Sequence, residues 1–489
     1  MKSAKIPHLL MLLLFVIVVV AGCSPQSVGE EAQNDSSQTS HPSSSAVKVG
    51  AQPESTPSPV TEQGEVARVS KAAFELRRED GSSFTVLLTE ETKITGDPLG
   101  DGSRAYVTHA GPDKGSGTVI ALAVKVIAVE EEEAMPSASP SPDSGAPTPE
   151  TLLTSMTLEE KVGQLFFARV PGEDAPADAA QYQFGGYLLF GREFKGLTKE
   201  QVQQKIQSYQ DSVKIPMLIG VDEEGGTVVR VSANPNLRES PYESPRALYD
   251  AGGLELVTEV EREKIQMLQN LGIQVNFAPV CDISQQPDAF LYDRSLGRGP
   301  QETAAYVQAM VGLYEENSMG CVLKHFPGYG ENGDTHTGSV LDQRPYESFQ
   351  QRDFLPFEAG IQAGADCVLV SHNVVSCKDS AYPASLSPEW HRVLREELGF
   401  EGCIITDDLI MDAIQEYCDS SSAAVQAVLA GNDLLCCSDY ETQYPAVLAA
   451  VENGQISQER IEESVLRILR WKQELGLLNA EEIKSMADN

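Results

Sequence analysis

The segment CIITDD (residues 403–408) sets four strand-forming residues, three of them apolar, directly before two adjacent carboxylates. The same construction recurs in LIGVD (218–222), CVLKHF (321–326) and CVLVSH (367–372). Near-continuous apolar runs mark strands buried on both faces of a parallel sheet. A polar residue placed right after such a run sits at the strand's C-terminal end. Working outward, apolar runs occur at 164–168, 186–190, 217–221, 274–278, 321–325, 367–371, 403–406 and 433–437. Between them lie stretches with helical apolar spacing, such as LTKEQVQQKIQSYQDSV and ELVTEVEREKIQMLQNLG. The last, ISQERIEESVLRILRWKQELGLL, opens at Ser457 as N-cap and carries Ile461, Val465, Ile468 and Leu469 on one face. Eight runs predict an α/β fold, a (β/α)8 TIM-like barrel over residues 151–489. An open doubly wound sheet would show about six strands and a nucleotide-binding phosphate loop, and no GxxxxGK[ST] follows a run. In a barrel the strand C-termini form one rim, where chemistry collects. Asp222, Lys324, His325, His372 and Asp407 all fall there. Any one alone reads as a strand-end cap or a satisfied ion pair; several on one rim point to a site.

The whole chain has 489 residues, 72 acidic and 36 basic, for a formal charge of −36. Phosphate binding needs clustered Lys and Arg, so nucleic acid is excluded as a partner. Docking on anionic lipid is disfavoured for the same reason. At the N-terminus, Lys2 and Lys5 precede LLMLLLFVIVVVA (9–21), short for a bilayer span, and the run ends in Val20-Ala21-Gly22-Cys23. This resembles a bacterial lipoprotein box, with residues 1–22 a signal peptide and Cys23 the lipidated first residue of an exported protein on the outer face of the cell membrane. The other reading is an uncleaved anchor with an incidental cysteine. Residues 23–62 and 131–150 are Ser-, Pro- and Glu-rich linkers. They bracket residues 63–130, where GEVARVS, AFELRR, FTVLL and TVIALAVKVIAV predict four or five strands of a small all-β, OB-like domain. No pair among the nine cysteines has CxxC or CxxH spacing, which argues against metal. Most are expected to be reduced core thiols, with Cys436 and Cys437 on opposite faces of their strand.

In order along the chain, TLEEKVGQLFF, GGYLLFGR, PMLIGVDEEGGTVVRV, VNFAPVCDI, DRSLG, KHFPGYGENGDTHTG, PASLSPEW and LREELGFEGCIITDDLIMDAI closely resemble the catalytic domain of glycoside hydrolase family 3, in its bacterial β-N-acetylhexosaminidase branch. The resemblance covers nearly all of residues 151–478 and does not touch the small β domain. It implies a retaining mechanism through a covalent glycosyl-enzyme, with terminal β-GlcNAc as the glycone. By motif it makes Asp407 the nucleophile, with Asp408 as rival; on extended backbone only one of the two can face the pocket. It makes His336 the acid/base, paired with Asp334, where most retaining glycosidases use a second carboxyl group. An imidazole titrates near neutrality and suits both proton transfers. Asp334-Thr335-His336 could otherwise be a surface turn with an incidental ion pair. Its loop holds Gly328, Gly330, Gly333 and Gly338, which suggests a mobile flap hanging from the fifth strand.

The resemblance also implies sugar binding by Asp222, Arg230, Arg294, Lys324, His325 and Met411. For Arg230 and Arg294 a structural ion pair competes, and Met411 could simply be core. Tyr329 stands where the family often has a second histidine. No metal or organic cofactor is implied. Three functions follow. The first is an exo-acting β-N-acetylglucosaminidase on muropeptides and other peptidoglycan fragments, a membrane-tethered monomer. The second is a phosphorylase with the same nucleophile. The third is a catalytically silent sugar-binding lipoprotein.

Overall fold

The computed structural model describes residues 147–335 and 338–487, together with six strands between Val60 and Ile127. Two compact units divide at Pro140 and Ser141. In the first unit the strands are Val60–Ala67, Ala73–Arg77, Ser83–Leu87, Lys93–Gly96, Arg104–His109 and Thr118–Ile127. Six strands replace the four or five expected, and the first begins inside the stretch assigned to linker. The first three form an antiparallel meander. Ser83–Leu87 then pairs in parallel with Thr118–Ile127, which pairs antiparallel with Arg104–His109, and that strand returns to the first. The ring of five strands is the Greek-key closure of an OB-like barrel, with Lys93–Gly96 added alongside.

The second unit is the predicted barrel. Its strands are Phe166–Arg169 (β1), Gly186–Leu189 (β2), Leu218–Val221 (β3), Val275–Asn276 (β4), Gly320–Phe326 (β5), Cys367–Val370 (β6), Cys403–Thr406 (β7) and Leu435–Cys437 (β8). All seven neighbouring pairs run parallel in sequence order, with β8 back against β1. The ring closes where Leu434 N donates to Ile404 O at 3.0 Å and Thr406 N to Leu434 O at 3.2 Å.

Side chains alternate across the wall, as the two-residue strand period requires. Phe167, Leu188, Leu218, Val275, Val322, Leu369, Ile405 and Cys436 pack inside the barrel. Their neighbours Phe166, Leu189, Ile219, Leu323, Val368, Ile404 and Cys437 face the surrounding helices, so Cys436 and Cys437 do point opposite ways. Gly220 has an inward position because Phe167 and Phe277 meet edge to face there, with ring centroids 5.3 Å apart. A Cβ at Gly220 would lie 2.8 Å from both rings.

Helix Gln458–Glu474 starts at Ser457, whose hydroxyl accepts from Arg460 N at 3.1 Å. Its Ile468 and Trp471 enter the inner cluster and plug the N-terminal end of the barrel. A helix at Pro149–Ser155 opens the unit two residues before the expected boundary, with proline in its first turn, where the missing N–H costs nothing. Eight cysteines among the described residues are free, six of them buried. Cys23 and the leader lie outside the described residues.

Candidate active site

The C-terminal rim opens into a cavity of about 550 Å³. Asp222, Arg230, Arg294, Lys324, His325, Asp334, Asp407 and Met411 all line it. His336 lies outside the described residues.

Two strand ends and the loop after β4 build one wall. Lys324, on β5, is buried and holds Asp222 Oδ1 at 2.7 Å and Glu224 Oε1 at 2.6 Å, both from the end of β3. Arg294 grips Glu224 with both arms, Nε to Oε2 at 2.9 Å and a terminal nitrogen to Oε1 at 2.7 Å. Burial alone would raise the Glu224 carboxyl; the two cations outweigh it and hold the group well below the usual carboxylate range. Glu223 next door serves the backbone. It accepts from Arg230 N and Val231 N, both at 2.7 Å, and so fixes the loop that delivers Arg230.

His325 is oriented from both sides. Asp282 accepts from its Nδ1 at 2.7 Å, and an Arg294 nitrogen lies 3.2 Å from Nε2. A carboxylate only accepts and a guanidinium only donates, so this pattern places the ring proton on Nδ1. The other Asp282 oxygen accepts from Tyr329 N at 2.8 Å.

At the end of β7 the two carboxylates separate as geometry demands. Asp407 faces the cavity and accepts from Asp408 N at 2.8 Å. Asp408 also touches the cavity, but its carboxylate is used in support, accepting from Ile410 N at 3.2 Å, Ser438 N at 3.1 Å and the Ser438 hydroxyl. It ties the β7 turn to the β8 turn. Burial first, then the Asp407 charge, raise its carboxyl. His372 does not line the cavity. It bonds Ser385 Oγ at 2.7 Å and the Asp408 carbonyl at 3.1 Å, steadying the same turn.

The β5 loop does not hang free. Glu331 takes Ser284 Oγ at 3.0 Å, Asn332 reaches Asp342 at 2.7 Å, and Ser339 bonds Glu416. The buried Tyr329 hydroxyl meets Thr335 Oγ1 at 2.5 Å. This polar netting ties the described residues of the loop to their neighbours. Among the described residues no cluster of three or more His, Cys, Asp or Glu could hold a metal ion, and no helix is long and apolar enough to cross a membrane.

A family model for the glycosyl hydrolase family 3 N-terminal domain matches residues 157–471, the barrel and all of its rim. The chain belongs to glycoside hydrolase family 3. It is a glycoside hydrolase, with carbohydrate as its substrate class. Family 3 relatives include a β-hexosaminidase of Nitrosomonas eutropha, 33% identical over 261 residues, covering 52% of this chain and 74% of that protein. The β-hexosaminidase LpqI of Mycobacterium tuberculosis is 30% identical over 383 residues, 75% of this chain and 93% of the relative. A family 3 β-N-acetylglucosaminidase from Paenibacillus superimposes with a TM-score of 0.62 at 32% identity, covering 68% of each chain.

Sequence reasoning missed Glu224 and Asp282 as the counter-ions of this family 3 rim. Both lie inside the quoted motifs; Asp282 interrupts the largely apolar VNFAPVCDI, whereas Glu224 stands among acids and glycines and carries no such signal. Arg169 and Phe190, at the ends of β1 and β2, were also missed. The Arg169 guanidinium lies 4.2 Å from the centre of the Phe190 ring.

Proposed function

We propose that the chain is a retaining exo-β-N-acetylglucosaminidase that releases terminal β-GlcNAc from peptidoglycan fragments. The observation that carries this is the convergence of Asp407 and Asp334 on one cavity also lined by Asp222, Lys324 and Arg294, which Glu224 holds together from behind. That lining offers charged donors and acceptors at fixed positions, which suits sugar hydroxyls that both give and take hydrogen bonds. The names of the β-hexosaminidase relatives support GlcNAc as the glycone.

In the first step an Asp407 oxygen attacks the anomeric carbon, and the bond to the aglycone oxygen breaks as His336 gives that oxygen a proton. In the second, neutral His336 takes a proton from water, the water oxygen bonds to the anomeric carbon, and the Asp407 ester is released. Two inversions leave the configuration retained. Asp334 orients the imidazole. Asp408 anchors the turn that aims Asp407. The protein acts as a monomer, carried by lipidated Cys23 on the outer face of the membrane.

Hydrolysis of 4-nitrophenyl β-GlcNAc, followed by NMR of the first-formed anomer, tests this reading. It requires a β product and a rate indifferent to phosphate. A phosphate-dependent rate with a sugar phosphate product supports the phosphorylase instead, and no turnover supports a silent binding protein.

A further inference from the structure

Three cations at the rim already have a carboxylate. Lys324 and Arg294 share Glu224 and Asp222, and Arg192 binds Glu193 at 2.7 Å. Arg169 is different. Its Nε is buried with no hydrogen-bond partner, and among the described residues no carboxylate pairs with it. Its guanidinium rests against the Phe190 face. Arg230, beyond the same ring at 5.4 Å, also has an orphaned Nε, but it belongs to the wall proposed to hold the glycone. Arg169 is half-buried as a residue, only its Nε is shut off from solvent, and a buried donor normally finds an acceptor.

Arg169 also marks a junction. It lines the inner cavity and, equally, a second cleft of about 410 Å³ formed by Val170 and Pro171 after β1 and by Ser438, Asp439 and Tyr440 after β8. Ser438 bonds Asp408 beside Asp407, so the second cleft begins next to the proposed reacting carboxylate. Asp439 is engaged by the Ser420 hydroxyl at 2.6 Å, and Glu441 sits at the outer lip. A disaccharide with its glycone in the inner cavity would therefore lay its second ring past the Arg169 guanidinium.

Resting on the glycosidase reading above, we infer that the outer cleft is an aglycone subsite. Arg169 there pairs with a free carboxylate on the aglycone sugar. Within wall fragments this chemistry distinguishes an aglycone whose lactyl acid is free from one whose acid is blocked as an amide. Peptide-free disaccharides are then the preferred substrates over peptide-bearing ones.

The test compares three disaccharides of similar size: GlcNAc-β-1,4-MurNAc with a free lactyl acid, its lactyl N-methylamide, and neutral chitobiose. A charge-assisted pair with a half-buried arginine predicts that wild-type kcat/KM favours the free acid by about tenfold over the amide. In Arg169→Gln that ratio should collapse to within about twofold, with Arg169→Lys in between. A ratio taken within one variant does not depend on how much of the variant folds. Equal wild-type rates on acid and amide, or an Arg169→Gln enzyme that keeps the preference, overturn the inference alone. Failure to turn over 4-nitrophenyl β-GlcNAc overturns the glycosidase reading and this inference with it.

Discussion

Replacing Glu224 with Gln probes the rim most sharply, because one side chain holds two cations. The Glu224 side chain is 1% exposed, Lys324 2% and Arg294 14%. A glutamine of the same shape keeps one acceptor oxygen but turns an NH2 toward groups that can only donate. Lys324 retains Asp222, so the main damage falls on the Arg294 contact. Breaking a buried pair by removing one partner costs about 3–5 kcal/mol, and the surviving acceptor puts this case near the lower end, about 3 kcal/mol. With a urea slope of about 3 kcal/mol/M for a domain this large, the unfolding midpoint should fall by about 1 M. Both tryptophans, Trp390 and Trp471, lie in the barrel, so intrinsic fluorescence follows this unit alone. The pH dependence has a definite sign. A carboxyl held below its ordinary value stabilises the fold at every pH above its unfolded value near 4.5, and loses that contribution as pH falls through the depressed folded value. The gap between wild type and variant should thus be constant from pH 6 to 8 and close only in acid. A midpoint loss under about 0.2 M, or a gap that widens in acid, would refute the reasoning.

Two further outcomes follow from the same geometry. Tyr329→Phe removes the hydroxyl that meets Thr335 at 2.5 Å. It should cost about 1 kcal/mol and slow phenyl β-GlcNAc more than its dinitrophenyl analogue, measured as the ratio of the two kcat/KM values. At the opposite end of the barrel, burial first, then the charges of Glu315 and Glu474, raise the Asp366 carboxyl from 3.8 to about 7. Between those values the unfolded chain ionises first, so wild type loses stability as pH rises through the window. Asp366→Asn still accepts from Cys321 N and should be the more stable form at pH 8, by at most about 4 kcal/mol. Chemical denaturation at pH 8 and pH 4 checks that the advantage vanishes in acid.

The barrel was legible because parallel strands buried on both faces leave an unmistakable apolar record, and all eight runs became strands. The least faithful was β4, where residues 274–278 shrank to Val275–Asn276. Asn276 spends its side chain on Glu223 N and the Tyr314 hydroxyl, and Pro279 has no N–H to extend the ladder. In the small domain Lys93–Gly96 is only four residues long and Arg104–His109 mixes polar with apolar residues, so their pairing decides them more than their composition. At the site, Asp222, Lys324, His325 and Asp407 stood out because polarity broke an apolar run at a strand end. Glu224 and Asp282 did not, since each gains its meaning from an arginine or histidine tens of residues away in the chain. Arg169, closing the run FFAR, looks in sequence like an ordinary strand-end cap. Its missing partner is visible only once the neighbouring loops are in place.

The central claim is that Asp407 becomes covalently bonded to the anomeric carbon. A 5-fluoro-GlcNAc glycoside with an activated leaving group should accumulate that intermediate, and proteolysis with mass spectrometry then locates the sugar. The account predicts the label on the peptide containing residues 403–412, with Asp407 as the modified side chain and no label in Asp407→Ala. A label on another peptide, on Asp408, or an α-configured product from the unfluorinated substrate would contradict it.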